Sequence, residues 1–121
     1  MQMEIVFHKG HNKIAEIVID EIVFNTVQDA LDLLGDASYN ESNRIILHEK
    51  NICPDFFKLS TGLAGEILQK CVNYHVKLAI VGKFEKYNSN SLKAFILECN
   101  RGSQFYFVNN IDEAFKRLGN D

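Results

Sequence analysis

The sequence has few of the residues that mark specialised classes of protein. Its 121 residues include three cysteines, one proline and no tryptophan. The cysteines (Cys53, Cys71 and Cys99) are odd in number and far apart, which is typical of reduced thiols rather than of a disulfide framework. This pattern indicates a cytoplasmic protein.

The chain also lacks an excess of positive charge. Its 13 Lys and Arg residues stand against 16 Asp and Glu residues, which gives a formal net charge of -3. The basic residues are scattered singly, whereas a protein that binds nucleic acid or an anionic membrane concentrates them on one surface. No apolar run approaches a membrane span, and "MQMEIVFHKG" at the N-terminus does not resemble a signal peptide. We therefore expect neither nucleic acid nor a membrane as a partner.

The residues that are present fit one ordinary folded unit. Apolar residues make up 46% of the chain, which is enough for a single core. The length is that of one domain, and no repeat, linker or low-complexity tract divides it. We expect a single domain over residues 1–121.

Apolar runs and turn residues predict an alternation of strands and helices. Two runs flank Gly10 and Asn12, which predicts an N-terminal β-hairpin with Met3, Ile5 and Phe7 on one face of its first strand. Later strands are predicted in "RIILHEKN", "KLAIVGKF" and "QFYFVN", each followed or preceded by a helical stretch. The predicted order is β-β-α-β-α-β-α-β-α. Because strands that alternate with helices pair in parallel, the fold class is α/β with a mixed, mostly parallel sheet and about four helices.

Helix ends are predicted from capping residues. Thr26 followed by Asp29 imitates a capping box, and Asn110 followed by Glu113 does the same for the last helix. Gly35 is expected to end the first helix, since glycine is a common helix stop. The helix before "KLAIV" carries an apolar stripe that ends in Cys71.

Three long phrases of the sequence resemble a known bacterial family. They are "RIILHEKNICPDFFKLSTGLAGEILQK", "VNYHVKLAIVGKFEKY" and "SLKAFILECNRG". The family is the domain of unknown function DUF4180, and nearly the whole chain is similar to it. This resemblance implies no particular activity.

A more remote resemblance, carried by the element order, is to the STAS domain of anti-sigma-factor antagonists. In that family a strand leads to Asp-Ser-Ser-Gly at a helix start, and a partner kinase phosphorylates the second Ser. The matching positions here are Leu59, Ser60, Thr61 and Gly62, with Leu59 in place of the Asp. The resemblance implies a STAS-like fold and makes Thr61 a phosphorylation candidate.

The residues Ser60, Thr61 and Gly62 have three interpretations. A helix N-terminus favours a phosphoryl group or another anion, so they are candidates for a partner or ligand site. In a simpler interpretation, Ser60 caps the helix and Thr61 fills its first turn. If the helix already begins at Pro54, both hydroxyls lie in mid-helix and no anion site exists. Gly62 and Gly65 share a helix face, which predicts a close crossing over the sheet.

Polar residues at the carboxyl ends of the predicted parallel strands form a second candidate site. In open α/β sheets ligands bind at this edge. His48 and Glu49 are the obvious acid–base pair, but neighbours on a strand point to opposite faces. Ordinary solvation of loop ends is the simpler interpretation of the whole set. The set is His48, Glu49, Asn51, Lys83, Glu85, Asn109 and Asn110.

No motif for catalysis, a cofactor or a metal is present. His8 and His11 flank the predicted hairpin turn without a third ligand nearby, and paired Cys-x-x-Cys motifs are missing. We expect a small binding or regulatory module that contacts another protein, a second copy of the chain being one option. The alternative is a small-ligand binder or enzyme at the strand ends, with His48, Glu49 and Lys83 as candidates.

Overall fold

Within the described residues, five strands form one sheet in the same order as they occur along the chain. The structure is a computed structural model and describes residues 5–8 and 13–119. The first strand pairs antiparallel with the second, and the remaining neighbours pair in parallel. The strands are β1 (Ile5–His8), β2 (Ile14–Ile17), β3 (Arg44–His48), β4 (Lys77–Val81) and β5 (Phe105–Val108).

Four α-helices in this part of the chain complete the predicted order, and the α/β fold class is therefore confirmed. They are α1 (Val27–Tyr39), α2 (Leu63–Asn73), α3 (Asn90–Arg101) and α4 (Ile111–Gly119). The N-terminal hairpin is confirmed by the pairing of β1 with β2. Its predicted turn residues Gly10 and Asn12, together with Met3 and His11, lie outside the described residues. The likeness to the STAS domain stays a prediction.

Local capping forms the helix starts as the sequence predicts. The Thr26 hydroxyl accepts from the Asp29 N–H, and the Asp29 carboxylate accepts from the Thr26 N–H in return. The Asn110 side chain accepts from the Glu113 N–H at 2.9 Å. The predicted stop at Gly35 is wrong, because α1 continues through it to Tyr39. Burial of Leu34 and Ala37 on either side outweighs the roughly 1 kcal/mol that glycine costs in a helix.

The two faces of the sheet are covered unequally. The crossovers from β2 through β5 all move in the same direction, and right-handed crossovers of that kind place their helices on one face. The main core accordingly joins Ile17, Ile45 and Leu78 to residues of α1, α2 and α3. A smaller core on the other face joins Ile46, Ala79 and Tyr106 to α4.

One helix is too narrow to cover a five-stranded sheet. A helix is about 10 Å wide and neighbouring strands lie about 4.8 Å apart, so one helix covers about two strands. α4 packs on β4 and β5. Near its C-terminal end, the Leu118 carbonyl oxygen accepts a hydrogen bond from the Arg44 side chain of β3. In the part of the chain that the structure describes, α4 reaches β2 at Ile14 and β1 at His8, and no second α-helix covers the rest of these two strands on this face.

The aromatic pairs follow from this layering. Phe105 and Phe107 belong to the main core, and Tyr106 between them belongs to the α4 side, as strand alternation requires. Phe56 and Phe57 are both buried, since a short 3-10 helix turns them towards the same core.

Within the described residues, no helix is long and apolar enough to span a membrane.

Candidate functional site

At the carboxyl edge of the described sheet there is no crevice formed by a reversal of the strand order, which is the usual place for ligands in open α/β folds. Such a crevice forms where the strand order reverses and the helices on the two sides diverge. Among the described strands the order β1-β2-β3-β4-β5 never reverses. The residues predicted at this edge must therefore be judged by their individual contacts.

The structure separates the predicted acid–base residues. His48 is the last residue of β3 and its ring meets Glu16 on the α4 side. Glu49 begins a short 3-10 helix and its carboxylate meets Tyr87 and Lys86. Lys83 has an exposed side chain, and its backbone N–H donates to Glu49 at 3.2 Å. The contacts of His48 and Glu49 thus lie on opposite sides of the sheet, and the two residues do not form one acid–base centre.

Glu49 ties the end of β3 to the loop after β4. Its carboxylate accepts from the Tyr87 hydroxyl at 2.5 Å and pairs with the Lys86 ammonium at 2.7 Å. Burial alone would raise the pKa of Glu49, but the hydrogen bonds from Lys86, Tyr87 and the Lys83 backbone outweigh it and the pKa is lowered. Burial and the neighbouring carboxylate raise the pKa of Tyr87. Both groups are therefore held in one protonation state near neutral pH.

Close packing at Gly82 supports this structural role. A Cβ atom at Gly82 would lie 2.7 Å from both the Cβ and the Oε1 atom of Glu49. A pocket of about 330 Å³ adjoins the cluster and is lined by Glu49, Lys86, Tyr87 and Phe57 among others. Because each Glu49 oxygen is already hydrogen-bonded, the cluster is a clamp between two chain segments.

Asn51 is a second structural clamp. It is 0% exposed, and its side chain accepts from the His48 N–H at 3.0 Å. Its amide group donates to the carbonyl oxygens of Ile19 and Glu21 at 2.8 and 2.9 Å. Asn51 therefore links the segment after β2 with the end of β3, and its side chain is not available to a ligand.

A histidine–glutamate–histidine cluster lies on the α4 side of β1, β2 and β3. The Nε2 atoms of His8 and His48 lie 2.9 Å from Oε1 and Oε2 of Glu16, respectively. The register explains the arrangement, because Glu16 pairs with Val6 on β1 and Ile46 on β3, and each histidine lies two residues further along its strand. One carboxylate thus bridges three strands.

The two imidazoles keep Glu16 ionised. Burial alone would raise the pKa of Glu16, but the hydrogen bonds and charges of His48 and His8 outweigh it and the pKa is lowered. The Glu16 side chain is 15% exposed, against 36% for His8 and 28% for His48. Each imidazole donates one ring N–H to the carboxylate and keeps its other nitrogen for another contact.

Apolar side chains surround this cluster and reach solvent. Val6 is 42% exposed and Val18 is 41% exposed, both on the side of the sheet that faces α4. Val18 is placed there because Ile17 and Ile19, its neighbours in sequence, both pack on the main core. We name the surface formed by Val6, His8, Glu16, Val18 and His48 the open half-face.

α4 reaches the open half-face through one aromatic side chain. The ring of Phe115 meets the ring of His8 edge-on, with centroids 4.7 Å apart. Phe115 marks the border between the covered and the open parts of this side of the sheet.

The sequence makes His48 a candidate and does not point to Glu16, and it offers His8 only for a metal site that lacks a third ligand. The cluster depends on the register in which β1 pairs with β2. The hairpin turn sets this register, and the strand residues alone do not reveal it. One signal was available. Glu16 is a charged residue in the apolar run "IAEIVI", and such a residue indicates a strand whose second face is not fully covered.

The predicted hydroxyl site lies at the start of α2, but its details differ. The N-cap of α2 is Gly62 with φ 78°, so the predicted Ser60 cap is wrong. A short 3-10 helix does begin at Pro54, but it ends at Phe57, and Ser60 and Thr61 lie in a separate 3-10 turn rather than in mid-helix. The Thr61 hydroxyl donates towards the Asp55 and Lys58 carbonyl oxygens and accepts from the Leu63 N–H.

The predicted close crossing at Gly62 and Gly65 is wrong. A Cβ atom at either position would meet nothing within 4 Å. Gly62 is needed instead for its positive φ, which other residues rarely adopt. Glycine at position 65 has no packing reason in the structure.

The described residues offer no metal site and no disulfide. No group of three or more His, Cys, Asp or Glu side chains among them has an arrangement that could hold a metal ion. Cys53, Cys71 and Cys99 are free thiols. Burial raises the pKa of the Cys71 thiol to about 12, so it packs in the core as a small apolar side chain.

Comparison with known proteins identifies a family. The family described as Domain of unknown function (DUF4180) matches residues 9–118. The chain belongs to the DUF4180 family. No curated protein and no solved structure matches the chain. The matched range includes β2 to β5, α1 to α3 and α4 except for its last residue, and thus Glu16 and His48 of the open half-face.

Proposed function

We propose that this DUF4180 protein is a protein-binding module of the bacterial cytoplasm and that the open half-face is its contact surface. The observation that carries the proposal is the partial cover of the sheet on the α4 side. Val6 and Val18 are exposed there beside a carboxylate held by two imidazoles. Three free thiols support a reducing compartment.

A protein partner suits the shape and chemistry of this surface. Protein interfaces combine an apolar centre with polar groups that have defined hydrogen-bonding geometry. The open half-face has both, since the valines supply apolar area and the histidines supply ring nitrogens fixed by Glu16. Four of its five residues lie on three paired strands and Val18 directly follows β2, so they are ordered before binding and little entropy is lost.

Three baits test the proposal in lysate from the protein's own host. Val18→Asp places a charge on the open half-face, and Val72→Asp places the same charge on α2 at a matched exposure of 40% against 41%. We expect the unchanged protein and Val72→Asp to capture the same protein, and Val18→Asp to lose it. Capture by quantitative mass spectrometry measures the difference.

The result that contradicts the proposal is equally specific. If all three baits recover the same proteins in the same amounts, the open half-face is not the contact surface. If none recovers a protein above the background of empty resin, the chain is not a stable protein-binding module under these conditions and the proposal fails.

Phosphorylation of Thr61 is a separate regulatory hypothesis that comes from the STAS resemblance. Thr61 is exposed at the start of α2, where a helix dipole favours negative charge. Mass spectrometry of the protein from its own cells would detect phosphate on Thr61, and Thr61→Ala would change partner capture. An unmodified Thr61 together with unchanged capture by Thr61→Ala would remove the hypothesis.

A further inference from the structure

A second surface lies at the other end of the sheet, beside β5. It is a groove of about 460 Å³ between α3, the turn after β4 and the end of β5. This volume is within the range of about 300–1,000 Å³ that is usual for small-molecule sites. The groove is separate from the open half-face, because its Phe107 belongs to the main core and not to the α4 side.

The groove has an apolar floor. The rings of Phe84 and Phe107 meet edge-on there with centroids 5.4 Å apart. Ile96 and Leu97 of α3 form the adjoining wall, and Leu97 is 54% exposed. An exposed leucine beside two aromatic rings favours a ligand with an apolar body.

Two opposite charges line the same groove. Lys93 and Glu85 both border it, and neither side chain forms an ion pair or a side-chain hydrogen bond within the described residues. Charged side chains at the neighbouring clamp differ, since Glu49 pairs with Lys86. A ligand that carries both an ammonium and a carboxylate group would match the two unused charges.

The groove cannot take a peptide as an added strand at Phe107. The outward N–H and carbonyl of Phe107 are already bonded to the side chain of Asn100, at 2.8 and 3.1 Å. A peptide that extends a sheet edge needs those backbone groups. A small molecule that uses the rings and the two charges does not.

We propose that this groove binds a free zwitterion with an apolar side chain, of the class of the aromatic and aliphatic amino acids. The apolar part lies on Phe84 and Phe107, the carboxylate faces Lys93 and the ammonium faces Glu85. This inference does not depend on the proposed function, because it uses none of the residues of the open half-face.

The test is an NMR titration of the full chain with L-phenylalanine. We expect saturable shifts of backbone amide signals at Phe84, Leu97 and Phe107. Phenylacetate and phenethylamine, which each carry one of the two charges, should bind about tenfold more weakly, since each loses one charge-assisted contact. Positions 93 and 85 are exposed, so Lys93→Met and Glu85→Gln should leave the fold intact. Each variant should bind L-phenylalanine about tenfold more weakly than the unchanged protein.

Matched variants separate the groove from general charge effects. Lys58→Met and Glu66→Gln make the same changes near and on α2, outside the residues that line the groove, and should leave the affinity unchanged. The proposal is overturned if L-phenylalanine causes no saturable shifts up to its solubility limit. Equal binding of all three probes, or equal loss in the control variants, also overturns it.

Discussion

The two sides of β2 differ towards its carboxyl end. Ala15 and Ile17 are 1% and 0% exposed beneath the helices of the main core. On the opposite side Ile14 is 6% exposed in the cluster with α4, but Val18, directly after the strand, is 41% exposed. Glu16 carries a charge on that same opposite side. The difference follows from topology, since three crossovers in one direction place three helices on one face and leave a single helix for the other. The histidine–glutamate–histidine cluster lies at the border where α4 no longer covers the sheet.

The largest contrast should appear when apolar side chains are removed from the two sides. Ile17→Ala should lower the free energy of unfolding by about 2–5 kcal/mol, because it opens a cavity in the main core. Val18→Ala should change it by about 0.5 kcal/mol or less, as is usual for exposed positions. Urea unfolding with an unchanged m-value measures both. Similar losses at the two positions would show that the open half-face is in fact covered.

Removal of the Asn51 side chain should have the next largest effect. Asn51→Ala leaves the His48 N–H and the carbonyl oxygens of Ile19 and Glu21 without their partner. We expect a loss of about 2–4 kcal/mol in the free energy of unfolding, since unsatisfied buried groups are costly. The exposed Asn88→Ala is the control in the same urea assay and should be neutral. A small loss at Asn51 would mean that water or a rearranged loop replaces the side chain.

Glu16 should make the stability that the open half-face contributes depend on pH. Its pKa is lowered from the ordinary value of 4.5, so the ionised carboxylate stabilises the fold. That contribution is present above the unfolded pKa and is lost as the pH falls through the lower folded pKa. Glu16→Gln should therefore cost about 1–2 kcal/mol at neutral pH and lose this disadvantage in acid.

The control for Glu16 is the same change at an exposed site. Glu66→Gln on α2 should leave the pH profile of the unfolding free energy close to that of the unchanged protein. The measurement is urea unfolding at a series of pH values from neutral to below 4.5, the ordinary carboxyl pKa. If Glu16→Gln and the unchanged protein differ by the same amount at every pH, the histidine bridge does not set the charge of Glu16.

The smallest effect is expected for the bait variant itself. Val18→Asp should change the free energy of unfolding by about 0.5 kcal/mol or less, because the side chain is already in contact with solvent. Thermal unfolding and circular dichroism check this before the binding experiment. A large loss would show that Val18 packs against another part of the chain.

Local signals account for most of the fold that the sequence predicts. The capping box at Thr26 and the N-cap hydrogen bond at Asn110 each involve residues three apart, so they are visible without any tertiary information. The end of α1 is different, because buried Leu34 and Ala37 carry the helix past Gly35. Tertiary burial of this kind overrides local propensity, and the sequence alone does not show it.

The candidate site was predictable only in part. Strand alternation predicts correctly that His48 and Glu49 face opposite sides. The partnership of His48 with Glu16 and His8 depends on how β1, β2 and β3 align, which involves residues up to 40 positions apart and is set by the packed sheet. Contacts between side chains on different strands therefore cannot be predicted from the sequence alone and are seen only in the structure.

Photo-crosslinking tests the central claim most directly. A photoreactive phenylalanine analogue at position 18 would lie on the open half-face, and the same analogue at position 72 would lie on α2 at matched exposure. Irradiation in the protein's own cells should trap one partner protein from position 18 and not from position 72. The same product from both positions, or a product from position 72 alone, would contradict the assignment of the open half-face as the binding surface.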